Sequence, residues 1–176
     1  LRPRGKKFFV VTLLRDGASV QVAKEKAVEL LQKRIRELEI EDVNLIAVLC
    51  TEDFPHFKSN KLIIEPGKII QKQVQGILGE GKKVGVIIPS PGQIEQIRKK
   101  WGDMSPVIAV ASPYENPDEI EAAAKTLQEN DVNLTVLDCI GYTKQVKQRV
   151  QKITGKPVIL PRTILARVIR ELTNSA

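Results

Sequence analysis

The chain has 176 residues, 42% of them hydrophobic, which suffices for one sizeable core or two small lobes. Its longest apolar runs fall short of the roughly 20 residues that a membrane-spanning helix needs, so no membrane contact is expected and the cytoplasm is the expected compartment. The net charge of +7 is spread over several segments and interleaved with acids, so it does not predict a nucleic-acid surface.

Short β-branched runs alternate with amphipathic helices along the whole chain. This alternation favours an α/β fold with a parallel sheet and helices on both faces. The first helix shows a buried stripe that includes Ala27, Leu31 and Ile35. Strands are predicted, in chain order, at residues 7–14, 43–50, 83–88, 107–111, 133–138 and 157–160. Because proline fits the first helical turn, helices are predicted to begin at Pro66, Pro91, Pro117 and Pro161, with Asn116 capping the third.

One segment occurs twice. Residues 42–50 and 131–139 share Asp, Val, Asn and Leu at their first four positions and a cysteine at the ninth. In parallel α/β sheets ligands bind beyond the carboxyl ends of the strands, so a duplication predicts that Cys50 and Cys139 meet in one cleft. A chance match stays open, because buried parallel strands share one apolar vocabulary.

Two facing thiols suit proton transfer at carbon, which needs a base on one side of the carbon and an acid on the other. Gly141, Tyr142 and Thr143 follow Cys139. Glycine lets the backbone approach a ligand, Thr143 is a candidate N-cap, and free amides at a helix start bind a carboxylate and favour a thiolate. Two acidic residues follow Cys50 and are expected to raise its pKa.

Other side chains are predicted at the same cleft. The hydroxyl of Thr51 can donate to an anion, Ser112 follows the fourth strand, and Arg15 at the end of the first strand can pair with a carboxylate. Alternatives stay open for the two cysteines, which could be inert core thiols or a regulatory disulfide, although the cytosol is reducing.

No cofactor or metal is expected. His56 is the only histidine and lacks a partner at metal-ligand spacing. The glycines at 76, 79 and 81 do not form the phosphate turn of a dinucleotide site.

The segments at residues 11–17, 49–55, 62–66, 84–89, 111–114, 137–143 and 157–167 together resemble the AroM family. The resemblance spans essentially the whole chain. It implies membership of the superfamily of cofactor-independent amino-acid and hydantoin racemases, maleate isomerases and arylmalonate decarboxylases. It also implies two similar flavodoxin-like lobes, residues 1–81 and 82–176, with the last helix packing back on the first lobe. Cys50 and Cys139 match the superfamily's two catalytic cysteines.

The chain departs from the family pattern in two places. It opens at Leu1 without the family's initial strand and helix, so the first lobe is expected to be incomplete. Glu52 stands where the family generally has glycine.

The leading functional hypothesis is a racemase-like isomerase acting on a small carboxylate or related anion through Cys50 and Cys139. The alternative is a non-catalytic protein that binds or senses a small anion in the same cleft. The sequence also leaves open whether the chain forms a homo-oligomer.

Overall fold

The structure is a computed structural model that describes residues 8–173. Its strands and helices are, in chain order, β1 (Phe9–Leu13), β2 (Ser19–Ala23), α1 (Lys24–Glu39), β3 (Leu45–Ala47), β4 (Leu62–Ile64), α2 (Pro66–Ile77), β5 (Val84–Ile88), α3 (Ile94–Trp101), β6 (Val107–Val110), α4 (Pro117–Glu129), β7 (Leu134–Leu137), α5 (Lys144–Thr154), β8 (Val158–Ile159) and α6 (Pro161–Thr173). Short 3-10 turns, Pro91–Gln93 and Gly102–Met104, flank α3.

A four-stranded parallel sheet forms the centre of the second half of the chain. Its strand order is β6-β5-β7-β8. Every residue of β5 and β7 is buried, as expected of parallel strands that are covered on both faces. Helices α4 and α5 pack over one face, and α2, α3 and α6 pack over the other. The predicted α/β fold with helices on both faces of a parallel sheet is therefore confirmed.

The first half of the chain has two smaller sheets. Strands β3 and β4 form a parallel pair, in which β4 was not predicted. Strand β1 lies outside any parallel sheet and forms an antiparallel hairpin with β2, so the prediction of a parallel strand over residues 7–14 was wrong in pairing and extent. Lys7 of that prediction lies outside the described residues.

The hairpin has a local cause in its turn. Gly17 has a φ of +86°, a conformation that glycine adopts without steric cost. The carboxylate of Asp16 accepts a hydrogen bond from the amide of Ala18 at 3.0 Å. An Asp-Gly pair between β-branched runs is a hairpin signal, and it reverses the chain here.

Three of the four predicted helix starts coincide with long helices. Pro66, Pro117 and Pro161 begin α2, α4 and α6, while Pro91 begins the 3-10 turn that precedes α3. Asn116 caps α4 by accepting from the amide of Asp118 at 2.9 Å.

Helix α2 packs on the sheet of the other half of the chain. Ile70 and Val74 belong to the same hydrophobic cluster as Val86, Ile88 and Trp101, and α2 also contacts α6. A separate cluster unites β1, α1, β3 and the loop after Cys50. The two halves therefore share core contacts through α2.

Candidate active site

Cys50 and Cys139 line one small cavity. Cys139 follows β7, and Cys50 follows β3 in the other half of the chain. The cavity has a volume of about 20 Å³, which is room for roughly one water molecule. Its other lining residues are Val10, Val11, Thr51, Glu52, Pro89, Gln93, Ile97, Lys100 and Asp138. The structure therefore brings the two predicted cysteines to the wall of one cavity.

A buried ion pair joins the two cysteine-bearing segments. The Nζ atom of Lys100 lies 2.7 and 2.8 Å from the two carboxylate oxygens of Asp138, and 2.6 Å from the carbonyl oxygen of Thr51. Trp101 donates its indole N–H to the same carboxylate at 2.9 Å. Because Asp138 precedes Cys139 and Thr51 follows Cys50, a single ammonium group fixes the separation of the two thiol-bearing loops.

Hydrogen-bond donors surround the sulfur of Cys139. The amide of Gly141 donates to Sγ at 3.4 Å, and the Tyr114 hydroxyl oxygen lies 3.8 Å from Sγ. Burial nevertheless raises the pKa of the Cys139 thiol, and the Gly141 amide and the Tyr114 hydroxyl oppose that rise. The expected lowering of this pKa by the helix start is therefore corrected, because desolvation of the thiolate outweighs the nearby donors.

Burial also dominates at Cys50. It raises the pKa of this thiol to about 12, and the negative charges of Cys139 and Glu52 add to the rise. Lys100 and the amide of Glu52 act in the opposite direction. The predicted rise in the pKa of Cys50 is thus confirmed, although burial contributes more to it than the charge of Glu52, which was expected to cause it.

Glu52 itself is buried and doubly held. One of its carboxylate oxygens lies 3.0 Å from Nζ of Lys24, and the other accepts from Nε2 of Gln96 at 2.7 Å. Gln96 also bonds both backbone groups of Phe9, accepting from its amide at 3.1 Å and donating to its carbonyl at 2.9 Å. Helix α3 and the loop after Cys50 therefore hold the hairpin across the cleft.

The structure places the predicted ligand residues in different surroundings. Thr51 lines the cavity, and Gly141 contacts Cys139 through its amide. Thr143 caps α5 by accepting from the Val146 amide at 3.3 Å. Tyr142 is fully buried and donates its hydroxyl proton to the carbonyl of Ala111 at 2.7 Å.

Two predicted ligand residues lie apart from the thiols. Ser112 is buried beside α4 and lines a separate cavity of about 230 Å³. Arg15 lies exposed in the hairpin turn and is not among the residues that line the cavity of the two cysteines. Arg162 instead reaches the loop after Cys139, where its guanidinium donates to the carbonyls of Ile140 and Gly141 at 2.8 and 3.1 Å.

Sequence reasoning missed the polar residues that α3 and its preceding turn supply. These are Gln93, Gln96 and Lys100. The signal that could have indicated them is their spacing of three and four residues, which places them on one face of a helix. Lys99, three residues after Gln96, fits the same spacing and is exposed, so the spacing indicates the helix face but does not single out Lys100.

A larger pocket adjoins the cavity. It has a volume of about 560 Å³, shares Glu52 and Lys100 with the cavity, and is otherwise lined by Phe8, Lys24, Glu25, Val28, Asp53, Phe54, Pro55, Gln96 and Lys99. Glu52 and Lys100 thus stand between the larger pocket and the thiols.

In residues 8–173, no helix is long and apolar enough to cross a membrane, and no group of three potential metal ligands occurs in that same range.

Comparisons with known proteins agree with this architecture. A family model described as AroM protein matches residues 1–173. An allantoin racemase from Pseudomonas fluorescens has a similar fold, with a TM-score of 0.59 and 14% identity over 88% of this chain and 73% of its own. An aspartate racemase from Picrophilus torridus has a TM-score of 0.51 and 16% identity over 82% of this chain and 68% of its own. No curated protein matches the chain in sequence.

Proposed function

The chain belongs to the AroM family, and we propose that it is a cofactor-independent isomerase that transfers a proton at the α-carbon of a small carboxylate or related carbonyl compound. The observation that carries this proposal is that Cys50 and Cys139 line one cavity. Two solved structures with a similar fold are by name racemases, which supports inversion at a carbon as the reaction class.

The chemistry needs one thiolate and one thiol. The thiolate removes the α-proton from one face of the carbon, and the opposing thiol gives its proton to the other face, so that the charge passes from one sulfur to the other. Cys139 is better supplied with donors, because both the Gly141 amide and the Tyr114 hydroxyl reach its sulfur. We therefore assign the initial thiolate to Cys139 and the initial thiol to Cys50.

Substrate entry requires a rearrangement, because the cavity has room only for about one water molecule. The adjoining pocket of about 560 Å³ is large enough for a small carboxylate, and the exposed Lys99 in its wall offers positive charge to an anion, whereas Lys24 is paired with Glu52. In this proposal the substrate binds there first and reaches the thiols when the Glu52 side chain or the hairpin moves.

The test is proton exchange. The protein is incubated in heavy water with each enantiomer of aspartate and of allantoin, and with other small carboxylates, and deuterium at the α-carbon is followed by NMR. Replacement of Cys139 with serine should abolish inversion but leave exchange on the face that Cys50 serves, and Cys50→Ser should show the converse. Full inversion by either single variant would show that a base other than the thiols acts, and would contradict the two-thiol mechanism.

A second candidate function is binding without turnover. It is favoured by the raised pKa of both thiols, because burial favours the neutral thiol over the thiolate that would begin proton transfer. A ligand that stabilises the protein against heat should then stabilise the Cys50→Ser/Cys139→Ser double variant equally, with no exchange in the unmodified protein. Loss of stabilisation in the double variant, together with exchange in the parent, would instead support the isomerase.

A further inference from the structure

Helix α2 begins directly against the backbone of the loop that follows Cys50. Gly67 is the second residue of α2 and is buried. A Cβ at this position would overlap the carbonyl oxygen of Thr51, and it would lie 2.9 Å from the Thr51 carbonyl carbon and 3.3 Å from the carbonyl oxygen of Glu52. Gly67 does not have a positive φ, so the close approach, rather than the backbone conformation, requires glycine here.

The Thr51 carbonyl is at the same time a partner of Lys100. Nζ of Lys100 lies 2.6 Å from this oxygen, and 2.7 and 2.8 Å from the two carboxylate oxygens of Asp138. Cys50 directly precedes Thr51 in the chain, and Asp138 directly precedes Cys139. The Thr51 peptide is therefore held both by the start of α2 and by the ammonium group that reaches the Cys139 segment.

Neither α2 nor Lys100 can easily yield. Ile70 and Val74 of α2 are 1% and 0% exposed and pack in one hydrophobic cluster with the central sheet, so the helix cannot retreat without opening a cavity in the core. The Lys100 side chain is 2% exposed and paired with Asp138. Residues 48–61, which connect β3 to β4, form no helix or strand. A side chain at position 67 would therefore displace this loop, which carries Cys50.

We propose that Gly67 is a positioning residue for Cys50: because it has no side chain, the start of α2 fixes where the loop places this thiol relative to Cys139. Gly67 is not among the residues that line the thiol cavity, so it acts through the Thr51 peptide. A two-base isomerase needs both sulfurs at set distances from one carbon. The inference rests on the proposed function for the reason why this placement matters, but its test needs no turnover.

The test follows the alkylation of each thiol by iodoacetamide, in which the thiolate sulfur forms a bond to the CH₂ carbon and iodide leaves. Cys50 is followed in a Cys139→Ser background and Cys139 in a Cys50→Ser background, by mass spectrometry over a range of pH. The quantity compared among variants is the ratio of the rate at Cys50 to the rate at Cys139. General loosening of the fold raises both rates, whereas displacement of one loop raises only the first.

In Gly67→Ala this ratio should rise about threefold or more. Burial raises the pKa of Cys50 to about 12, so a displaced and hydrated loop lowers that pKa towards its ordinary value. A pKa lower by about 1 gives about tenfold more thiolate at neutral pH. Because a less basic thiolate is also a weaker nucleophile, the rate rises by about threefold. The pH profile of alkylation at Cys50 should move to lower pH, while that at Cys139 should stay in place.

Two other glycine substitutions serve as controls. Gly76→Ala lies on the same helix, where an added Cβ meets no atom of the described chain within 4 Å outside that helix, and it should leave both rates unchanged. Gly85→Ala places its Cβ 2.9 Å from the methyl carbons of Leu127, so it should destabilise the core without touching the loop after Cys50. Urea unfolding of all three variants shows how far their losses of stability match.

Two results would overturn the proposal: an unchanged ratio in folded Gly67→Ala, or an equal rise in Gly85→Ala. If Gly67→Ala does not fold, Pro66→Ala replaces it, because loss of the ring loosens the first turn of α2 without adding bulk. The ratio should again rise, by a smaller factor, and an unchanged ratio in Pro66→Ala would equally overturn the proposal. Because alkylation involves no proton transfer at carbon, failure of this inference is distinguishable from failure of the isomerase proposal.

Discussion

Replacement of Lys100 with methionine should destabilise the protein strongly. The side chains of Lys100 and Asp138 are each only 2% exposed, and their ion pair is 2.7 Å long. Methionine keeps the aliphatic stem but removes the charge, so the Asp138 carboxylate stays buried with the Trp101 N–H as its remaining described donor. Leaving one charge of a buried pair without its partner costs about 3–5 kcal/mol, and we expect a loss of that size in the free energy of unfolding.

Urea unfolding measures this loss. Trp101 is the only tryptophan of the chain and is buried beside the ion pair, so its fluorescence reports on the site, and circular dichroism reports on the whole fold. Lys99→Met is the control on the same helix, because Lys99 is exposed and, within residues 8–173, makes a cation–π contact with Phe8 at 5.9 Å but no ion pair. That contact is worth about 0.5–1 kcal/mol.

The double variant Lys100→Met/Asp138→Asn separates charge from packing. If the cost comes from the uncompensated carboxylate, neutralising Asp138 should recover a large part of the stability that Lys100→Met loses. A loss below about 1 kcal/mol in the single variant, or no recovery in the double variant, would refute the reasoning from the buried charge.

Two further outcomes follow from the surroundings of the thiols. In Gly141→Ala the new Cβ would lie 2.6 Å from Cζ of Tyr114, so the tyrosine must move, at a cost of about 1–3 kcal/mol. Ultraviolet titration of the Cys139 thiol in a Cys50→Ser background should then shift to higher pH, and the same shift is expected in Tyr114→Phe. An unchanged titration would contradict a role for the Tyr114 hydroxyl. Because the pKa of Cys50 is raised to about 12 on folding, the unfolded state loses the thiol proton first, and stability falls as pH rises above about 9. At pH 10 Cys50→Ala should regain at most about 1.4 kcal/mol in the free energy of unfolding relative to its effect at pH 7. Urea unfolding that shows equal effects of the substitution at both pH values would contradict the raised pKa.

The second half of the chain is the part whose fold is readable from sequence. Strands β5 and β7 are continuous buried apolar runs. Such a run identifies a strand buried on both faces from its local sequence alone, without knowledge of the strands that pair with it. The first half is harder to predict, because β4 has only three residues and a single residue, Glu65, separates it from the helix that begins at Pro66. The hairpin was missed although Asp16 and Gly17 carry its turn signal, since the apolar run before them reads equally well as a parallel strand.

The candidate site divides in the same way. The position of a cysteine after a strand is a local property, so Cys50 and Cys139 could be predicted to meet once the repeat was noticed. The ion pair of Lys100 with Asp138 spans 38 residues, and its bond to Thr51 spans 49. No local pattern distinguishes a buried lysine from its exposed neighbour, because that difference arises only when the two halves of the chain pack together.

The raised pKa of the thiols has two opposing consequences: it lowers the fraction of thiolate at neutral pH, and it makes the thiolate that does form a stronger base. Removing a proton from carbon requires a strong base, and a thiolate whose conjugate acid has a high pKa is a stronger base than an exposed one. The charge on Cys139 is among the causes that raise the pKa of Cys50, so a second thiolate is disfavoured once the first has formed. The cavity therefore favours at most one negative charge on its two sulfurs. A two-base isomerase needs this state, because one sulfur must accept a proton while the other still has one to give.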